Sequence, residues 1–310
     1  MLYSLIKLPI RLALRIFCVN KQIIHPEFLK QKGPLLLVAN HPNSFLDAII
    51  IAAHFEEPIH FLARGDAFRK PWHNTFLRLL HMIPIYRISE GRENLYKNEY
   101  AFARSAELLK QGHIVLIFIE GICLNTHVLQ PFKKGAARIA SMVVQEQYPL
   151  NVMPVTVTYN SFTAFGKNIR MHLAEPIEAK QLIPYDDDAK NFQYFNDSMY
   201  QQLSTMIQVP PSFPTKYRIP LALPALIGFF LHIPLYTVLK QLVDANTRGT
   251  VFFDSVLFGV LLILYPLYLI TLTLLMFLLD VHSLILWPII LLHPVLAWCA
   301  VQYKITRNNN

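Results

Sequence analysis

Three stretches toward the end of the chain constrain the fold more than any other feature. Ile219 to Leu239, Ser255 to Leu279 and Ser283 to Tyr303 contain no Asp, Glu, Lys or Arg. A bilayer core of ~30 Å is crossed by a helix of about 20 apolar residues. Residues 213–310 therefore read as a membrane domain, entered through the proline-rich VPPSFPTKYR. The composition, 54% hydrophobic and only 15% charged, agrees with a chain of which a large part meets lipid.

Charges orient these segments. Lys216, Arg218, Lys240, Arg248, Lys304 and Arg307 flank them, whereas the Asp280-Val281-His282 link has no Lys or Arg. By the positive-inside rule, residues 255–279 and 283–303 form a spanning hairpin with that link outside. Residues 219–239 are then re-entrant or interfacial, an arrangement that Pro220, Pro224 and Pro234 favour. The alternative is three full spans. Either way the preceding domain is expected on the cytoplasmic face of an integral membrane protein.

The net charge of +8 suits either a nucleic acid or an anionic membrane surface. Lys7, Arg11 and Arg15, four residues apart in MLYSLIKLPIRLALRIF, decide for membrane lipids as partner. Residues 1–20 read as an amphipathic anchoring helix in the headgroup region. A cleaved signal peptide fits poorly, because the basic residues interrupt the apolar stretch. Cys18, Cys123 and Cys299 are distant and odd in number, which suggests no disulfide framework and no metal cluster. No histidine shows ligand spacing, so no metal is expected.

Residues 21–212 alternate between two patterns. Strand-like runs are Leu35 to Ala39, Ile59 to Ala63, Ile83 to Tyr86, Ile114 to Ile119, Val152 to Val157 and Ile169 to Leu173. Helical patterns fall near 47–53, 72–81, 92–110, 135–146 and 190–207. The alternation predicts an α/β domain with a mixed central sheet flanked by helices.

Within it, ANHPNSFLDAI follows the first run. Ser44 and Asp47 have the spacing of a capping box, which puts His41 and Asp47 at a sheet rim, where open α/β folds place their sites. They are either catalytic partners or turn residues. HMIPIYR ends in Arg87, FIEGICLN places Glu120-Gly121 just after a buried-type strand, and LQPFKKGAARIA sets Lys133 and Lys134 before a helix whose amides attract anions.

Taken in order, NHPNSFLD, IPIYR, IEG with PFKKGAARIA, and MPV resemble the four blocks of the glycerolipid (PlsC-type) acyltransferases. The resemblance covers roughly residues 33–175. It implies an O-acyltransferase moving a fatty acyl group from an acyl-carrier-protein or coenzyme A thioester, with no other cofactor. The acceptor would be a hydroxyl of glycerol 3-phosphate or a lysophospholipid. His41 would be the general base, since a neutral imidazole is poised for proton transfer near pH 7, with Asp47 holding its tautomer. Backbone donors near Glu120-Gly121 would face the oxyanion. Two blocks depart from the family: five residues separate His41 from Asp47 where four are usual, as in the fungal glycerol-phosphate branch, and in the third block Ile119 stands where Pro is usual and Cys123 where Arg or Ser is usual. The phosphate would then fall to Arg64, Arg87, Lys133 and Lys134. The Cys123 departure keeps a lyso-amino-lipid acceptor open, and the same scaffold could serve a non-catalytic lipid-binding protein.

Overall fold

The computed structural model describes residues 2–86, 96–211, 218–280 and 283–308. Helix α1 (Leu2–Phe17) leads into strand β1 (Cys18–Ile24). Strands β2 (Leu35–Ala39), β3 (Ile59–Arg64), β4 (Met82–Ile85), β5 (Ile114–Phe118), β6 (Asn151–Tyr159) and β7 (Lys167–Leu173) join it in one sheet, in the order β1-β7-β6-β2-β5-β3-β4. From β6 to β4 every pairing is parallel, β7 runs antiparallel to β6, and the short β8 (Ile177–Glu178) pairs on β6. The mixed sheet expected from the alternation is present.

Strand β2 lies at its centre, buried on both faces as its unbroken apolar run requires. Leu35 and Leu37 point into a layer with α1, with α2 (Phe45–His54) and with two of the apolar C-terminal helices. Leu36 and Val38 point the other way. There they meet α4 (Lys97–Lys110), α5 (Gly135–Gln145), α6 (Ala179–Leu182) and α7 (Asp188–Met206). Burying each such Leu stabilises by roughly 1.5–3 kcal/mol. Helix α3 (Pro71–Leu79) connects β3 to β4.

The N-terminal helix differs from expectation in two ways. It ends at Phe17, because Cys18 to Ile24 pair in parallel with β7 and the sheet takes residues that read locally as helix. Its basic residues do not all turn outward. Lys7 Nζ bonds the Phe55 carbonyl and Arg11 Nε the Ala53 carbonyl, at the end of α2 where free carbonyls favour cations. Leu14 and Phe17 are buried, while Leu5, Leu8 and Leu12 form an exposed apolar face.

Toward the C-terminus, α8 (Arg218–Thr247) is one continuous helix with Pro224 and Pro234 inside it. Each proline removes only one backbone hydrogen bond, which packing against neighbours tolerates. Residues Pro220–Thr247 of α8 and Phe253–Leu278, helix α9, are long and apolar enough to cross a membrane. Helix α10 (Ser283–Asn308) packs along α8, where Gly228 faces the Leu296 backbone so closely that any Cβ would collide. Phe230, Ile263, Ile270 and Phe277 point outward, as lipid-facing side chains would.

Candidate active site

Three adjacent parallel strands carry the site at their carboxyl ends. Strand β2 is followed by Asn40 and His41, β5 by Ile119 and Glu120, and β6 ends in Tyr159. Ala39 pairs with Phe118 on one side and Val155 on the other, so β2 and β5 end level while β6 runs four residues further, to Tyr159. Asn40 extends the pairing by side chain, its Nδ2 donating to Val157 O at 3.0 Å and its Oδ1 accepting from Val157 N–H at 2.8 Å.

The chain then turns into α2, and His41 Nδ1 lies 3.0 Å from Asp47 Oδ2. The imidazole stacks on Phe118 with centroids 3.9 Å apart and planes within 11°. Asp47 is fully buried. Its Oδ2 also accepts from the Asn43 N–H at 2.8 Å, and its Oδ1 from the Tyr159 hydroxyl at 2.6 Å. Three donors thus fix the carboxylate that faces the imidazole. Burial and the adjacent Asp47 push the Tyr159 hydroxyl pKa well above its ordinary value, so it stays a donor.

The capping box expected of Ser44 and Asp47 does not form. Ser44 takes a positive φ of 53° and its side chain makes no cap; its N–H instead donates to Cys123 Sγ at 3.0 Å. The Asp47 carboxylate reaches back to Asn43, and so serves the imidazole and the turn together.

Glu120, expected as a substrate contact, is buried with its carboxylate turned onto the chain. Oε1 accepts from the His41 N–H at 2.8 Å and Oε2 from the Gln130 N–H at 2.9 Å. Burial raises its pKa above the ordinary range, and the two amide donors partly offset that. Gly121, expected near the oxyanion, donates its N–H to Phe118 O at 3.1 Å, and so supplies no free amide there. Its φ of +61° is a conformation that glycine adopts without strain.

The cations divide. Lys133 and Lys134 are exposed at the start of α5, the Lys133 stem lying against Gly121. Arg64 is at the end of β3, two strands from His41, and donates to Asp66 from Nε at 3.2 Å and Nη2 at 2.5 Å. Arg87 lies outside the described residues. Among the described residues, no group of His, Cys, Asp or Glu is placed to hold a metal ion. Sequence reasoning missed Asn40, Asn43 and Tyr159 as parts of the site. The two asparagines sat inside the quoted motif, but Tyr159 gave no local signal.

Residues 20–158 match the family model described as acyltransferase. These residues belong to the acyltransferase family. The acyltransferase domain is 33% identical over 122 residues to the 1-acyl-sn-glycerol-3-phosphate acyltransferase of Bacillus subtilis, covering 39% of this chain and 56% of that one. A probable 1-acyl-sn-glycerol-3-phosphate acyltransferase of Mycoplasma pneumoniae is 26% identical over 140 residues, 44% of this chain and 50% of that one. The chain thus spans about half the length of these relatives. Among solved structures, the 1-acyl-sn-glycerophosphate acyltransferase PlsC of Thermotoga maritima superposes with a TM-score of 0.46 at 19% identity, covering 64% of this chain and 78% of that one. The matched residues 20–158 hold His41, Asp47 and Glu120, and end one residue short of Tyr159.

Proposed function

We propose that this protein is a membrane-bound O-acyltransferase of phospholipid synthesis. It moves a fatty acyl group from an acyl-carrier-protein or coenzyme A thioester to a hydroxyl of 1-acylglycerol 3-phosphate or glycerol 3-phosphate, on the cytoplasmic face. The observation that carries this reading is the 3.0 Å contact between His41 Nδ1 and Asp47 Oδ2 at the strand ends. The names of the two relatives favour 1-acylglycerol 3-phosphate as acceptor. The basic flanks Lys216, Arg218, Lys240 and Arg248 favour the cytoplasmic face.

With Nδ1–H donated to Asp47, the Nε2 lone pair is the base. As the acceptor oxygen attacks the thioester carbonyl carbon, Nε2 takes its proton, and Asp47 stabilises the imidazolium. The tetrahedral adduct then collapses, the C–S bond breaks, and His41 returns the proton to the leaving thiolate. No enzyme nucleophile is needed. Stacking on Phe118 sets the ring plane, and Glu120 holds the main chain at His41 through its N–H. Lys133, with Lys134 and Arg87, holds the acceptor phosphate.

The test is purified full-length protein in lipid vesicles, with labelled acyl-coenzyme A or acyl-carrier protein offered to glycerol 3-phosphate, 1-acylglycerol 3-phosphate and a lyso-amino-lipid. Acylation of a phosphate acceptor, reduced at least ~10²-fold in His41→Ala, is the expected outcome. Product from the lyso-amino-lipid alone would change the acceptor, and no product from any pair would leave a non-catalytic lipid-binding scaffold. Arg87→Ala should raise the KM of the acceptor more than that of the donor, with only partial rescue by Arg87→Lys, whose ammonium lacks the bidentate fork.

A further inference from the structure

The loop that carries His41 is tied to a membrane helix more than two hundred residues away. Asn43 Nδ2 donates to Asp254 Oδ2, in the first turn of α9, at 2.6 Å across 211 residues of sequence. The next residue, Ser255, donates from Oγ to the Asn43 carbonyl at 2.9 Å and accepts from the Leu46 N–H at 3.4 Å. Asp254 is also paired with Lys167 of β7, both side chains being almost wholly buried. The Lys167 ammonium lies 5.4 Å from the Phe17 ring and 6.0 Å from the ring of Tyr159, the residue that donates to Asp47. Neither Asp254 nor Ser255 falls within the acyltransferase match at residues 20–158.

We propose that Asp254 is a positioning residue for the His41–Asp47 pair, acting through the Asn43 amide, with Lys167 as its counter-ion. Asn43 is the bridge: its N–H fixes Asp47 Oδ2, and its side chain fixes α9. The site is then correctly built only when α9 is docked, so the membrane domain sets the geometry of the acyltransferase domain as well as anchoring it. This inference rests on the reading of His41 as base, and its test separates the two.

Removing Asp254 alone would leave Lys167 buried without a counter-charge, so the informative variants are charge-balanced. Asp254→Asn/Lys167→Met keeps an oxygen that Asn43 can donate to, and Asp254→Ala/Lys167→Met does not. Each full-length variant is read by kcat and KM, and by the rate at which diethyl pyrocarbonate modifies His41 at one fixed pH, mapped by peptide mass. The reagent needs no substrate, so it reports the setting of the imidazole apart from turnover. The groups facing His41 are the Asp47 carboxylate through Nδ1 and the Glu120 carboxylate through the backbone N–H. Loosening the loop weakens the Asp47 contact, frees the ring and changes the rate of modification.

The expected result is that the Asn variant keeps the wild-type modification rate and kcat. The Ala variant should change the modification rate and cut kcat roughly 10- to 100-fold with little change in KM, as misplacement of a catalytic group by about an ångström does. If the Ala variant does not fold, Asn43→Ala, which leaves the Lys167–Asp254 pair intact, is expected to change the modification rate and kcat in the same direction. A wild-type modification rate and kcat in folded Asp254→Ala/Lys167→Met, or in Asn43→Ala where the double variant fails to fold, overturns the proposal. A changed modification rate in a protein that acylates nothing would sustain the latch and overturn the function.

Discussion

The Tyr159 hydroxyl donates a 2.6 Å hydrogen bond to Asp47 Oδ1, joining residues 112 apart in sequence. It holds one oxygen of the carboxylate while the other faces His41. Tyr159→Phe removes that donor and keeps the ring that fills the core. A hydrogen bond to a charged group contributes roughly 1.5–3 kcal/mol, so kcat should fall about 10- to 100-fold with near-normal KM. Steady-state kinetics on folded Tyr159→Phe checks this, and an unchanged kcat would make the bond merely structural.

Cys123 is positioned as a packing and hydrogen-bonding residue, its sulfur accepting from the Ser44 N–H at 3.0 Å and its side chain nearly buried. Cys123→Ser keeps an acceptor there and should retain most activity. With acyl donor alone, intact-mass measurement should find no acyl-enzyme. A thioester trapped on Cys123 would replace direct attack with a two-step mechanism.

A Cβ on Gly121 would lie 2.8 Å from Lys133 Cγ, and φ there is +61°. Gly121→Ala should therefore displace Lys133 and raise the acceptor KM, as Lys133→Ala should directly by about 10-fold or more, the worth of one charge-assisted contact. If displacement is the cause, the double variant is no worse than the more impaired single one. Strictly additive losses would show that Gly121 acts independently of Lys133.

His60 lies away from the site, its ring stacked on His81 with centroids 4.6 Å apart and tilted against His113 at 5.1 Å. Burial, with smaller contributions from His81 and His113, lowers its pKa from 6.5 to about 4. A depressed folded value means that the unfolded chain takes up the proton first. Its contribution to stability is then fully present above about 6.5 and is lost as pH falls toward about 4. Melting temperature in detergent should drop across that window. His60→Phe keeps the stacking and loses the proton, so it should flatten part of the slope; an unchanged slope would exclude His60 as a source.

The local patterns were legible because they depend on near neighbours. The run Leu35 to Ala39 is a strand at the boundaries its composition implies, and β5 and α5 agree within a residue with the runs read from sequence. His41, Asp47 and Glu120 were legible as members of one site, since each follows a strand or opens a helix. What the spacing could not give was what each carboxylate faces. The order β6-β2-β5 brings Glu120 beneath the His41 main chain, away from open solvent.

The sequence by itself therefore determined the apolar segments, the strand–helix alternation and the residue types suited to proton transfer, all set by periodicity and side-chain chemistry within a few residues. Only the tertiary structure decided that Tyr159 and Asn43 hold Asp47, that Cys18–Ile24 joins the sheet edge, and that Asp254 reaches the loop that carries His41. Those bonds join atoms that no local pattern relates. They exist because strand order and helix docking bring distant backbone segments within hydrogen-bonding distance, where a buried donor must find an acceptor.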